Sequence, residues 1–288
     1  MKTIYAFIFI LLSLGSTYAQ KPYTMTETVT YNVKSSSSQS DYQLIISLPD
    51  GYKAGDTTRY PVLYLLDGYF FTPMVASLQR FYAMGGEVPK TIVVGISYPV
   101  TEEVTVHQRR TYDYTPTADT RTTDEIAAFY KVPMESGGGA RFLQTLRDDI
   151  LPFVDKNFKT TSDRALCGHS FGGLFGTYTL LHAPELFNRY LLSSPSFPWA
   201  DQALFKDEEM VFKSGRKSLP ARVYFSMGGN ETDYMISPYK RMLQNLRERQ
   251  YRGLYLEEHI YEKESHTSVV PTAFAQGLRA IYRQDKKP

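Results

Sequence analysis

Ala165-Leu166-Cys167-Gly168-His169-Ser170-Phe171-Gly172-Gly173-Leu174 reads as the end of a short apolar strand, a glycine-flanked serine, and the opening of a helix. A serine on such a sharp strand-to-helix turn needs backbone angles that most side chains resist, and glycines on either side relieve the crowding. The turn lifts the Ser170 hydroxyl above the C-terminal edge of a sheet. It also points the Phe171 N–H, at the start of the helix, toward an oxyanion, with the helix dipole assisting. An incidental serine in a glycine-rich turn would not need a strand before it and a helix after it. A nucleotide-binding turn fits worse, because the spacing is not G-x-G-x-x-G and no lysine follows.

Working outward, Met25 to Val33 and Tyr42 to Leu48 predict antiparallel strands joined by a polar turn, Ser35 to Ser40. Tyr60 to Leu66 and Thr91 to Ser97 are buried apolar strands, with helical spacing between them from Val75 to Met84. Tyr98 to Gly139 reads as a long irregular stretch punctuated by Pro99, Pro116 and Pro133, and its Gly137 to Gly139 run reads as a flexible loop. From Arg141, the residues Phe142, Leu143, Leu146 and Ile150 predict a helix ending near Pro152 or Phe158. Ala165 to Cys167, Tyr190 to Leu192, Val223 to Ser226 and Leu254 to Tyr261 follow as strands. Leu174 to Leu181, Tyr239 to Gln250 and Pro271 to Tyr282 follow as helices. Two antiparallel strands leading into βα units predict an α/β fold, a mostly parallel central sheet with helices on both faces.

The 288 residues carry a net charge of +2, a balance that gives no drive toward nucleic acid or an anionic membrane. Lys2, the apolar run Ile4 to Leu14 and the small residue of Thr17-Tyr18-Ala19 predict a signal peptide over 1–19. The run is short for a bilayer span, so the mature protein is expected to have none and to be periplasmic or secreted. Residues 20–288 then make a single domain. Cys167 is the one cysteine, which excludes an intrachain disulfide.

A serine nucleophile needs a base, and the five histidines can be sorted by position. His169 lies inside the turn, His182 late on the next helix, His107 ahead of the serine, and His259 within the last strand. His266 falls in the loop between the last strand and the last helix, where a Ser…acid…His order places the base. The acid belongs after the strand Val223 to Ser226, in Met227-Gly228-Gly229-Asn230-Glu231-Thr232-Asp233. Glu231 is preferred as closer to the strand end, with Asp233 the alternative. The second oxyanion donor belongs after Tyr60 to Leu66, where Asp67-Gly68-Tyr69 nominates the Tyr69 N–H. No metal-ligand spacing occurs, and this chemistry needs no cofactor.

With those residues placed, the chain resembles the putative-esterase (esterase D-like) family of α/β hydrolases, over nearly the whole mature length. The resemblance rests on Leu65-Leu66-Asp67-Gly68, on Arg109-Arg110 with Asp113-Tyr114-Thr115-Pro116, and on Gly137-Gly138-Gly139-Ala140-Arg141-Phe142-Leu143. It also rests on Gly168-His169-Ser170-Phe171-Gly172-Gly173, Ser194-Pro195-Ser196-Phe197-Pro198-Trp199 and Glu264-Ser265-His266. It implies the α/β-hydrolase fold and an acyl-enzyme on Ser170, with the siderophore (enterobactin-type) esterase branch the most similar. Arg109 and Arg110 are candidates to bind an anionic substrate, and Trp199 and Tyr69 to stack on an aromatic or sugar ring. The expected partner is a small-molecule or glycan ester, feruloyl and acetyl esters included. The rival readings are acyl transfer to a sugar and a catalytically silent binding protein.

Overall fold

The computed structural model describes residues 24–100 and 102–283, so the expected signal peptide lies outside the described residues. Eight strands form its sheet: β1 (Thr28–Lys34), β2 (Asp41–Ser47), β3 (Tyr60–Leu65), β4 (Ile92–Ser97), β5 (Thr160–His169), β6 (Arg189–Ser193), β7 (Ser218–Gly228) and β8 (Arg252–Tyr261). Their order is β1-β2-β4-β3-β5-β6-β7-β8. β2 runs antiparallel to both β1 and β4, and every other pair is parallel. This is the α/β-hydrolase architecture, with the antiparallel strands at the N-terminal edge as expected.

Both faces of the sheet are covered, which is why β3, β4 and the C-terminal half of β5 read as nearly continuous buried runs and do not alternate. Leu63 and Leu65 of β3 join Val75 of α1 (Gly68–Met84) and Phe274 and Leu278 of α10 (Val269–Tyr282) in one core layer. Val62 and Tyr64 join the opposite layer. That layer includes Phe142 of α4 (Gly139–Thr145), Val154 of α5 (Leu151–Asn157) and Phe175 of α6 (Phe171–His182). Leu204 and Val211 of α8 (Leu204–Lys213) and Met242 and Leu246 of α9 (Asp233–Glu248) complete it, with the short α7 (Trp199–Gln202) just before α8.

The stretch from Tyr98 to Gly139 is not irregular: it contains α2 (Glu103–Tyr114) and α3 (Thr120–Tyr130). The buried positions of α2 are Val106, Thr111, Asp113 and Tyr114, so its inner face is mostly polar and escapes an apolar-periodicity reading. Nor are the glycines flexible. A Cβ on Gly138 would stand 2.3 Å from the Tyr112 ring, and one on Gly139 would stand 2.9 Å from Pro116 Cα. The helix from Gly139 passes through Pro152 and stops at Asn157, because a π-helical turn, Leu146–Ile150, precedes the proline. Widening the ladder there relieves the clash and missing donor that a proline brings.

α2 is pinned to the sheet edge by Asp113, whose Oδ2 accepts from the hydroxyls of Tyr42 (3.0 Å) and Tyr98 (3.1 Å). Burial raises the Asp113 pKa to about 6, against the opposing pull of Arg109 and the two tyrosine hydroxyls. The folded chain therefore holds a proton that the unfolded chain loses, and stability falls as pH rises from about 4 to about 6. The loss amounts to roughly 3 kcal/mol. In urea unfolding at pH 4.5 and 7, Asp113→Asn should gain on the wild type at the higher pH. A stability difference independent of pH would contradict this.

Candidate active site

Ser170 occupies the turn between β5 and α6 with φ 60° and ψ −118°, a backbone conformation rarely adopted by a residue with a side chain. The turn is tight enough that a Cβ on Gly168 would lie 2.5 Å from the Gly172 carbonyl carbon. Neighbouring backbone holds it: Ser170 N–H donates to Ser193 O (3.0 Å), and Ser196 N–H donates to Ser170 O (3.1 Å). Ser170 Oγ thereby stands 3.0 Å from His266 Nε2. His266 Nδ1 lies 2.7 Å from Glu231 Oε2.

Proton bookkeeping fixes the direction of this chain. A carboxylate only accepts, so His266 Nδ1 carries its hydrogen toward Glu231, and in the neutral ring Nε2 is left to accept from Ser170. Ser196 Oγ, 3.2 Å from Ser170 Oγ, must then be the donor in that pair. Glu231 Oε1 accepts from Ser194 Oγ (2.5 Å) and from the Gly228 N–H (3.0 Å). Burial works to raise the Glu231 pKa. The hydrogen bonds from His266 and Ser194, the imidazolium charge and the Gly228 N–H outweigh it and hold the carboxyl below its usual range.

The loops carrying the acid and the base are joined directly. Gly229 N–H donates to Tyr261 O (2.8 Å) and Asn230 N–H to Glu264 O (2.9 Å). Cβ atoms on Gly228 and Gly229 would lie 2.6 Å and 2.5 Å from the Glu262–Ser265 backbone, so glycine is needed there for the approach. Ser170 and His266 open onto a cleft of about 580 Å³ lined also by Phe70, Phe71, Met74 and Val270. An activated hydroxyl at the floor of an apolar cleft, with an imidazole relay behind it, suits nucleophilic attack on a carbonyl.

Residues 35–268 match the family model described as Putative esterase. The chain belongs to that family. Among relatives of this esterase, the siderophore enterobactin esterase of Emericella nidulans is 30% identical over 267 residues, spanning 82% of this chain and 88% of that one. The ferri-bacillibactin esterase BesA of Bacillus subtilis is 27% identical over 277 residues, 91% of this chain and 92% of that one. Among solved structures, the BES protein from Bacillus cereus superposes with a TM-score of 0.79 at 26% identity, covering 92% of this chain and all of the other. The protein is accordingly a carboxylic ester hydrolase.

The esterase does not bring every expected residue to the cleft. Asp233 is exposed as the first residue of α9, while Glu231 is the carboxylate that meets His266. Phe171 and Tyr69 lie in the first turns of α6 and α1, the helices that follow β5 and β3. Arg110 lines the cleft, but Arg109 does not: its guanidinium sits 4.7 Å over the Tyr98 ring and donates to Asp41 O (3.3 Å). Trp199 is no open stacking wall either. It is 5% exposed, its indole N–H donates to Thr117 O (2.7 Å), and it packs edge-on behind Phe171.

Several neighbours escaped sequence reasoning. The His169 ring, its centroid 4.7 Å from that of His266, faces the cleft; burial first, then the charges of His266 and Arg110, push its pKa well down, so it stays neutral. His107, set aside for preceding the serine, lines the cleft from α2 and stacks on Tyr130 of α3 at 4.7 Å. Ser194 and Ser196 could have been found from their place immediately after β6, at the strand ends where α/β sheets carry their sites.

Proposed function

We propose that this esterase hydrolyses siderophore esters through an acyl-enzyme on Ser170, with His266 as general base and Glu231 orienting and stabilising the imidazole. Ser170 Oγ attacks the ester carbonyl as its proton passes to His266 Nε2, and the Phe171 and Tyr69 N–H groups receive the oxyanion. His266 then returns the proton to the departing alkoxide. Water, activated by the same imidazole, releases the acid. We also read residues 1–19 as an export leader and 20–288 as one catalytic domain, which places the reaction outside the cytoplasm.

The hydrogen-bonded chain from Ser170 through His266 to the buried Glu231 carries the mechanistic reading. The siderophore reading is supported by relatives named for enterobactin and ferri-bacillibactin esters, together with a cleft whose walls are largely aromatic and apolar. A panel of esters tests it: a catecholate trilactone, methyl ferulate, acetylated xylan and p-nitrophenyl acetate. The trilactone should be turned over with the highest kcat/KM, by about 10-fold or more, a difference worth about 1.4 kcal/mol in transition-state binding. Uniformly poor turnover of the lactone beside efficient release from ferulate or xylan would move the substrate to carbohydrate esters.

A further inference from the structure

Arg110 does something other than wait for a substrate. Its Nε and one terminal nitrogen donate to the two carboxylate oxygens of Asp67 at 2.7 and 3.0 Å. The pair is nearly sealed from water, with side chains 12% and 2% exposed. Asp67 is the residue before Gly68 and Tyr69, and it sits in the left-handed region at φ 55°, ψ 42°. A side-chain-bearing residue held there is strained and needs its surroundings to fix it. Three contacts do so: the Arg110 fork, the Tyr114 hydroxyl oxygen that accepts the Asp67 N–H (3.0 Å), and the Phe70 and Phe71 N–H groups that donate to Asp67 O.

The same guanidinium reaches the other half of the site. Its carbon lies 5.4 Å from the centre of the Phe171 ring and 5.7 Å from that of Tyr114. The Asp67 carboxylate also lies against the serine turn, where a Cβ on Gly172 would come within 3.6 Å of Asp67 Oδ2. One cation, delivered by α2, therefore touches both the segment after β3 and the segment after β5. Those segments carry the two N–H groups assigned to the oxyanion.

We propose that Arg110 is a positioning residue whose fork on Asp67 and seat on Phe171 fix the spacing of the two oxyanion donors. The inference rests on the serine mechanism above and assigns Arg110 a task within it. Two donors stabilise a tetrahedral oxygen only when both stand about 2.7–3.1 Å from it at once. A ground-state ester does not demand that match, so loosening the clamp should cost turnover and spare substrate binding. A bidentate planar fork is needed for this, and a lysine keeps the charge without the geometry.

Arg110→Lys and Tyr114→Phe, with Ser170→Ala in parallel, test the clamp. In Arg110→Lys, kcat should fall about 10- to 100-fold with KM within about 3-fold of wild type. Affinity for an aryl boronic acid, which forms a tetrahedral adduct with the serine, should fall by the same factor as kcat/KM. Tyr114→Phe should show the same pattern at about 5-fold. A folded Arg110→Lys enzyme with wild-type kcat, or one in which only KM rises, would overturn the clamp, the latter by making Arg110 a ground-state substrate contact. Should Arg110→Lys fail to fold, unchanged kcat in Asp67→Asn, which breaks the charged fork from its other side, overturns it instead. Ester hydrolysis surviving in Ser170→Ala would strike the serine mechanism and not the clamp.

Discussion

Ser170→Ala should lower kcat/KM on any ester the wild-type enzyme hydrolyses by on the order of 10⁵-fold, with the melting temperature little changed. The hydroxyl stands 3.0 Å from His266 Nε2, the nitrogen that takes its proton as it meets a bound carbonyl in the proposed reaction. Its removal leaves the helix N-termini and the cleft walls in place, so a residual acceleration of roughly 10³ over water should remain. The fold should tolerate the change because the turn is held by backbone bonds to Ser193 and Ser196 that do not involve the side chain. Steady-state kinetics and a thermal melt on the same preparation measure both quantities. A variant retaining a tenth of wild-type activity would remove Ser170 from the reaction.

Two carboxylates on one loop should behave very differently. Glu231→Gln should reduce kcat by on the order of 10³- to 10⁴-fold, while Asp233→Asn should stay within about 2-fold of wild type. The glutamine amide can offer either an acceptor or a donor to His266 Nδ1, so it no longer enforces the tautomer in which Nε2 is free to take the serine proton. It also withdraws the negative charge that stabilises the imidazolium. Glu231 is held ionised by Ser194, the Gly228 N–H and the imidazole it serves, all against the cost of its burial. Asp233 caps nothing of this network and faces solvent at the start of α9. The reverse ranking of the two variants would transfer the acid role to Asp233.

The part of the fold that positions the chemistry was readable because its physics is local. Strand, glycine, serine, glycine and helix follow one another around Ser170, and the end of β7 announces itself with Gly228 and Gly229, which permit the close approach of the loop after β8. What escaped was set by tertiary contacts. α2 buries Asp113, Thr111 and Tyr114 against the tyrosines of β2 and the β4 end, a polar inner face that an apolar-periodicity count cannot register. α3 did carry a local signal, the Asp119 side chain accepting from the Thr122 N–H (3.2 Å), which is an N-cap pattern hidden among turn-like residues. Trp199 read as a free ring because nothing in the sequence says that Thr117 O and Phe171 will cover it. Arg110 and Arg109 are adjacent in sequence yet point to separate tasks, since consecutive helical residues face directions about 100° apart.

Reacting the intact enzyme with a fluorophosphonate and reading the adduct by peptide mass spectrometry shows whether Ser170 is the nucleophile. One modification is expected, on Ser170 within residues 168–173, that disappears in Ser170→Ala and forms far more slowly in His266→Ala. Absence of labelling in the active wild-type enzyme, or a label carried on another residue, would contradict it.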